Sequence, residues 1–83
     1  MVKEEVWALE PERIETFFLQ HREVHATADD YRFRDCRITV TALPPRRIAG
    51  LALPQTRVIF EGSDDSALLI YRQFQLRFLS AGG

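Results

Sequence analysis

The stretch Cys36-Arg37-Ile38-Thr39-Val40-Thr41-Ala42 decides the fold. Its small and apolar residues alternate one by one with Arg37, Thr39 and Thr41, the two-residue period of a strand with one buried face. Leu43-Pro44-Pro45 comes next, and because proline has no backbone donor for a ladder, the strand is expected to stop there. Ile48 to Leu53 then reads as a second short strand bounded by Pro54. Thr56 to Glu61 reads as a third, with Val58 and Phe60 on one face. Three such strands in succession make an antiparallel meander.

Working outward toward the C-terminus, Gly62 is followed by Ser63-Asp64-Asp65, an N-cap with acids in a first helical turn. Ala67, Ile70, Tyr71, Phe74 and Phe78 then recur at i, i+3, i+4, i+7 and i+11, which predicts a helix of about 16 residues, roughly 24 Å long. A competing reading takes Phe74, Leu76 and Phe78 as an alternating strand. Toward the N-terminus, Pro11 suits a first helical position, Glu10, Glu12 and Glu15 complement the positive end of a helix dipole, and Ile14, Phe17, Phe18 and His21 share a face. That helix is expected to end near Arg22 or Glu23. Val2 to Leu9 reads as a short edge strand or an extended arm. The expected fold is therefore α+β: a small single-layer antiparallel sheet of three or four strands, two helices on one face, in the order (β)-α-β-β-β-α, with residues 1–83 as a single domain.

Composition agrees with a folded chain, since 46% of the residues are hydrophobic and six are phenylalanines. No apolar run approaches the ~18 residues that span a bilayer, and Met1-Val2-Lys3-Glu4-Glu5 lacks the pattern of a signal peptide. The single cysteine, Cys36, cannot close an internal disulfide. A cytoplasmic location and no membrane partner are the expectations that follow.

The net charge is only −1, but it is unevenly placed. Residues 1–30 carry eight acids against three bases, and residues 31–60 carry six arginines against one aspartate. Arg32, Arg34, Arg37, Arg46, Arg47 and Arg57 are thus candidates for binding an anion or nucleic acid. The bland explanation is compositional: ten arginines to one lysine and no asparagine is the skew that a GC-rich genome imposes. Within this region Tyr31-Arg32-Phe33-Arg34 admits two arrangements. An unbroken strand from Tyr31 to Ala42 exposes both aromatics beside Arg37, in the manner of sheets that stack RNA bases. A bulge or turn at Asp35 instead switches the phase, buries Tyr31 and Phe33 and turns Arg32 and Arg34 to solvent.

Catalytic chemistry has little to stand on. There is no nucleophile elbow, phosphate loop or HExxH, the string at that place being His21-Arg22-Glu23-Val24-His25. His21, His25 and Cys36 lack the spacing of a zinc site, and Cys36 is in phase with Ile38 and Val40, as a core residue would be. No catalytic residue, metal or cofactor is assigned. The α-β-β-β-α order resembles that of double-stranded-RNA-binding domains, but Ser63, Asp64 and Asp65 stand where those carry a lysine cluster, and acids there repel phosphate. The terminal Gly82-Gly83 is similar to the end of ubiquitin-like sulfur carriers, a resemblance that implies activation of the Gly83 carboxylate. Finally, Leu51, Leu53 and Ile59 fall out of phase with Ile48, Val58 and Phe60. They are expected to lie on the sheet face that the helices leave open, as the interface of a homodimer.

Overall fold

A computed structural model describes residues 1–81 of the chain. In chain order the elements are β1 (Val2–Trp7), α1 (Pro11–Gln20), β2 (Val24–Ala26), β3 (Tyr31–Phe33), β4 (Cys36–Ile48), β5 (Leu51–Glu61) and α2 (Asp64–Ala81). The strands form one antiparallel sheet in the order β1-β5-β4-β3-β2. The chain thus places β1 and β2 at opposite edges, and α1 carries it from one edge to the other.

α1 begins at Pro11, whose missing N–H is needed by no helical bond, and buries Ile14 and Phe18 one turn apart. It ends at Gln20, two or three residues before the expected end at Arg22 or Glu23. There the His21 N–H turns back to the Phe18 carbonyl at 3.2 Å, and His21 itself is extended. α2 is capped by Ser63, whose hydroxyl accepts the Ser66 N–H at 3.4 Å and whose carbonyl accepts that of Ala67 at 2.9 Å. It runs helically through Phe74, Leu76 and Phe78, so the alternating-strand reading of that segment is set aside.

The sheet differs from expectation in strand number, five instead of three or four, and in where the strands run. β4 does not stop at Pro44-Pro45; it continues to Ile48, and the residues expected to form a separate strand, Ile48 to Leu53, are the tip of the β4–β5 hairpin. The register gives the reason. Leu43 pairs with Gln55 and Arg46 with Leu53, so Pro44 and Pro45 together oppose the single residue Pro54 in a bulge, where no ladder donor is required. The bulge also shifts the phase of β4, which places Ile48 opposite Leu51 on one face and not on the face of Val58 and Phe60. The hairpin closes through Ala49 (φ 52°) and Gly50 (φ 81°), both in the left-handed region that matches the twist of the flanking strands.

Two short strands, β2 and β3, were not foreseen. β2 pairs with β3 across a turn in which the Thr27 N–H donates to the Asp30 carbonyl at 2.8 Å, and β3 is set off from β4 because Arg34 adopts φ 56° and makes, with Asp35, a two-residue turn. That turn selects the second of the two arrangements for Tyr31-Arg32-Phe33-Arg34: Tyr31 and Phe33 are buried, and Arg32 and Arg34 are exposed. Gly62 holds the other side of this corner, for a Cβ there would lie 2.7 Å from Cys36 Cα and 2.9 Å from the Asp35 carbonyl.

Both helices cover the same sheet face. Ile14 and Phe18 of α1 and Ala67, Ile70, Phe74 and Phe78 of α2 are buried with Phe33, Cys36, Ile38, Val58 and Phe60 of the sheet. Phe74 is at the centre, stacked parallel to Phe18 at 5.7 Å and set at an angle to Phe60 at 5.6 Å and Trp7 at 5.1 Å. Tyr71 reaches out of this core to donate its hydroxyl to Glu5 at 2.7 Å, and Tyr31 does the same to Glu15 at 3.1 Å. No helix among the described residues is long and apolar enough to cross a membrane.

Candidate functional site

The register defines what the helices leave uncovered. Odd-numbered residues of β5 and of β4 as far as Leu43, with Val2, Glu4 and Val6 of β1, Arg32 of β3 and His25 of β2, share the open face. It divides into two regions of different chemistry at opposite ends of β4, separated by roughly 30 Å at 3.3 Å per residue.

The first region is apolar. Beyond the Leu43–Gln55 pair, β4 and β5 have no neighbouring strand, and every residue from 44 to 53 is exposed. They form a two-stranded arm that continues the open face. Arg46, Ile48, Leu51 and Leu53 lie on its near side, with Ile48 45%, Leu51 67% and Leu53 37% exposed. Ile59, half-buried, and Val6, 51% exposed, extend this surface onto the sheet proper. The three residues expected at an interface, Leu51, Leu53 and Ile59, thus share one face by register.

The second region is cationic and is organised by a residue read from sequence only as part of a turn. Asp30 is buried on the open side, its side chain 5% exposed. Its carboxylate accepts the Thr27 hydroxyl at 2.6 Å, Arg32 Nε at 3.3 Å and Arg37 Nε at 2.7 Å. The Thr27 hydroxyl and the two guanidiniums hold the Asp30 carboxyl below the usual carboxylate range, with burial opposing them. Arg32 stands between His25 and Arg37, directly opposite each, and the two like-charged guanidiniums so placed repel unless something intervenes. Asp30, two residues before Arg32, has the same strand parity, and that spacing was the signal available for finding it.

The six arginines do not act as one patch. Arg32 and Arg37 share Asp30, Arg34 pairs with Glu23 at 3.3 Å, and Arg57 lies 3.5 Å from Glu4. That last contact lacks hydrogen-bond geometry, so Arg57 Nε is buried without an acceptor among the described residues. Arg46 and Arg47 form no ion pair among the described residues; they sit on opposite faces of the arm.

The other candidate residues are dispersed. His21 caps α1 and packs edge-on against Phe33; its Nδ1 accepts the Glu23 N–H at 3.2 Å, which assigns the ring proton to Nε2, 2.6 Å from Gln73 Oε1. His25 lies on the opposite side of the sheet. Cys36 is fully buried, and burial pushes its thiol up, away from the thiolate a nucleophile needs. Among the described residues no three His, Cys, Asp or Glu side chains are grouped to hold a metal ion. Gly82 and Gly83, on which the sulfur-carrier resemblance rests, lie outside the described residues. No known family model matches the chain, and no curated protein is significantly similar to it.

Proposed function

We propose that the protein is a small non-catalytic binding module of the cytoplasm that self-associates through the apolar end of its open sheet face. The observation that carries this reading is the arm. A lone two-stranded ribbon is at best marginally stable in water, yet here it projects past the helices with Ile48, Leu51 and Leu53 on one side. A second copy related by a two-fold axis would set that side against the same side of its partner, with Ile59 and Val6 beneath, and apolar patches of this kind mark interfaces. A standard interface needs ~800 Å² from each partner, about one seventh of the 5528 Å² this chain exposes. Pro44, Pro45 and the bulge discourage open-ended edge pairing, which favours a closed dimer over a fibre. The buried, unbridged Cys36 accords with a reducing compartment.

Binding of nucleic acid through the arginines is the weaker reading, because the six do not form one surface: Arg46 and Arg47 sit on opposite faces of the arm, roughly 30 Å along β4 from Arg37 and its neighbour Arg32. Sedimentation velocity from micromolar to millimolar concentration separates the two. The expected result is a concentration-dependent dimer that Leu51→Asp, on an exposed side chain, converts to a folded monomer. A strict monomer throughout, together with single-stranded RNA binding that weakens steeply with salt, would replace self-association with the second reading.

A further inference from the structure

The cationic end of the open face is built in a way that a solvated charge patch is not. A near-fully buried carboxylate grips two arginines that face each other across β3 and β4, and it grips each by Nε alone. The terminal N–H groups of Arg32 and Arg37, on side chains about half exposed, have no acceptor among the described residues. Beside Arg32, an open depression of ≈ 420 Å³ is lined by Arg22, Glu23, His25, Arg32 and Arg34. Arg34 is delivered to it by a backbone conformation, φ 56°, that favours glycine or asparagine over arginine. The turn holding it there is fixed on its far side by the Ser63 hydroxyl on Asp35 at 2.9 Å.

We propose that this depression is a binding site for a single phosphate group, free or as a terminal monoester, held in the guanidinium fork of Arg32 and by Arg34, which exchanges its exposed Glu23 partner at 3.3 Å for the phosphate, with His25 and Arg22 at the rim. Planar guanidiniums presenting paired donors match the oxygens of a phosphate in a way that point charges do not. Asp30 acts as a positioning residue that fixes the Arg32 fork. A nucleic-acid strand is a poorer fit. Its phosphates repeat every few ångströms, whereas the face leading away from this corner carries Thr39, Thr41 and Ile59, and its next cation, Arg57, lies against Glu4. The site is at the other end of β4 from the arm and does not depend on self-association.

Backbone amide NMR shifts of the full chain, titrated with inorganic phosphate, with glycerol phosphate and with chloride at matched ionic strength, test this. Saturable shifts confined to residues 22–37 in the millimolar range are expected with phosphate and not with chloride. A response to glycerol phosphate as strong as to phosphate identifies a monoester site; a response to phosphate alone identifies the free ion. Arg32→Lys keeps the charge and loses the fork, and should weaken binding by about five- to tenfold. Asp30→Asn removes a negative charge, yet should also weaken binding, because the fork is no longer held. A mere patch of positive charge would bind more tightly after Asp30→Asn and equally well after Arg32→Lys, and either of those results overturns the proposal. So does the absence of saturable shifts, or single-stranded RNA shifts that extend to Arg46 and Arg47. Should Asp30→Asn fail to fold, Arg32→Lys and Arg34→Lys, both on exposed side chains, carry the test alone.

Discussion

Phe74→Ala removes the side chain on which the two helices and the sheet meet. Phe74 is fully buried, and the rings of Trp7, Phe17, Phe18, Phe60 and Phe78 all have centroids between 4.9 and 5.7 Å from its own. Truncating a buried phenylalanine costs about 3–5 kcal/mol. Five rings from α1, α2, β1 and β5 cannot all close on the space left behind, and the aromatic pairings are lost with the ring, so the upper half of that range applies. At ~0.05–0.15 kcal/mol per residue a chain of 83 residues holds roughly 4–12 kcal/mol in all. A loss of ~4 kcal/mol would lower the melting temperature by roughly 16–32 °C, at about 4–8 °C per kcal/mol. Thermal melts followed by circular dichroism, beside denaturant titrations, measure this directly. Leu76→Ala, two residues along α2 and 68% exposed, is the control and should change stability by no more than ~0.5 kcal/mol. A Phe74→Ala loss below ~2 kcal/mol, or similar effects from both variants, would refute the packing argued here.

Three further outcomes follow from particular contacts. Gly62→Ala forces a methyl into the Cys36 backbone and should destabilise by about 1–3 kcal/mol in the same melts, despite changing only one carbon. Ala49→Asn replaces a residue that tolerates φ 52° poorly with one that favours it, and should slow hydrogen exchange at the Ile48 and Leu51 amides by about fivefold, leaving core amides unchanged. Burial, seconded by Glu15 and Glu5, pushes the hydroxyls of Tyr31 and Tyr71 up to about 12 from 10.0. The folded state therefore binds more protons than the unfolded one in that window, so stability is complete below pH 10 and falls as pH rises toward 12. A Tyr31→Phe, Tyr71→Phe double variant should lose less stability than the parent across that interval in alkaline denaturant titrations.

Elements whose periodicity is repeated over many residues were legible in the sequence. The run from Ala67 to Phe78 repeats its apolar face over three turns, and α2 forms there. The alternation from Cys36 to Ala42 places Cys36 and Ile38 in the core as it requires. β2 and β3, three residues each, were not legible, since neither is long enough to display a period and the turn that separates β3 from β4 depends on Arg34 adopting a left-handed conformation that its identity does not advertise. Pro44-Pro45 misled for a related reason. A missing donor ends a strand only where a neighbour needs it, and in the bulge of a free-standing ribbon none does.

The candidate sites divide along the same line. That Leu51, Leu53 and Ile59 share one face follows from parity along β5, which the order of residues already contains, whereas the exposure of Leu51 and Leu53 comes from the arm standing free on both sides. The behaviour of the arginines does not follow from the order of residues, because the acids that meet them come from places fixed only by folding: Glu4 from the far edge strand, Glu23 from the turn before β2, Asp30 from the loop before β3. By itself the sequence determined which residues seek burial, which segments favour helix or strand, and that residues 31–60 carry an excess of positive charge. Only the tertiary structure decided which strands pair, in what register, and which cation each acid meets. Burial and backbone preference act over a few residues, whereas the β1–β5 register and the Arg57–Glu4 pair join the two ends of the chain, and even the nearer pairs of Asp30 and Glu23 wait on the turns that set β2, β3 and β4 side by side.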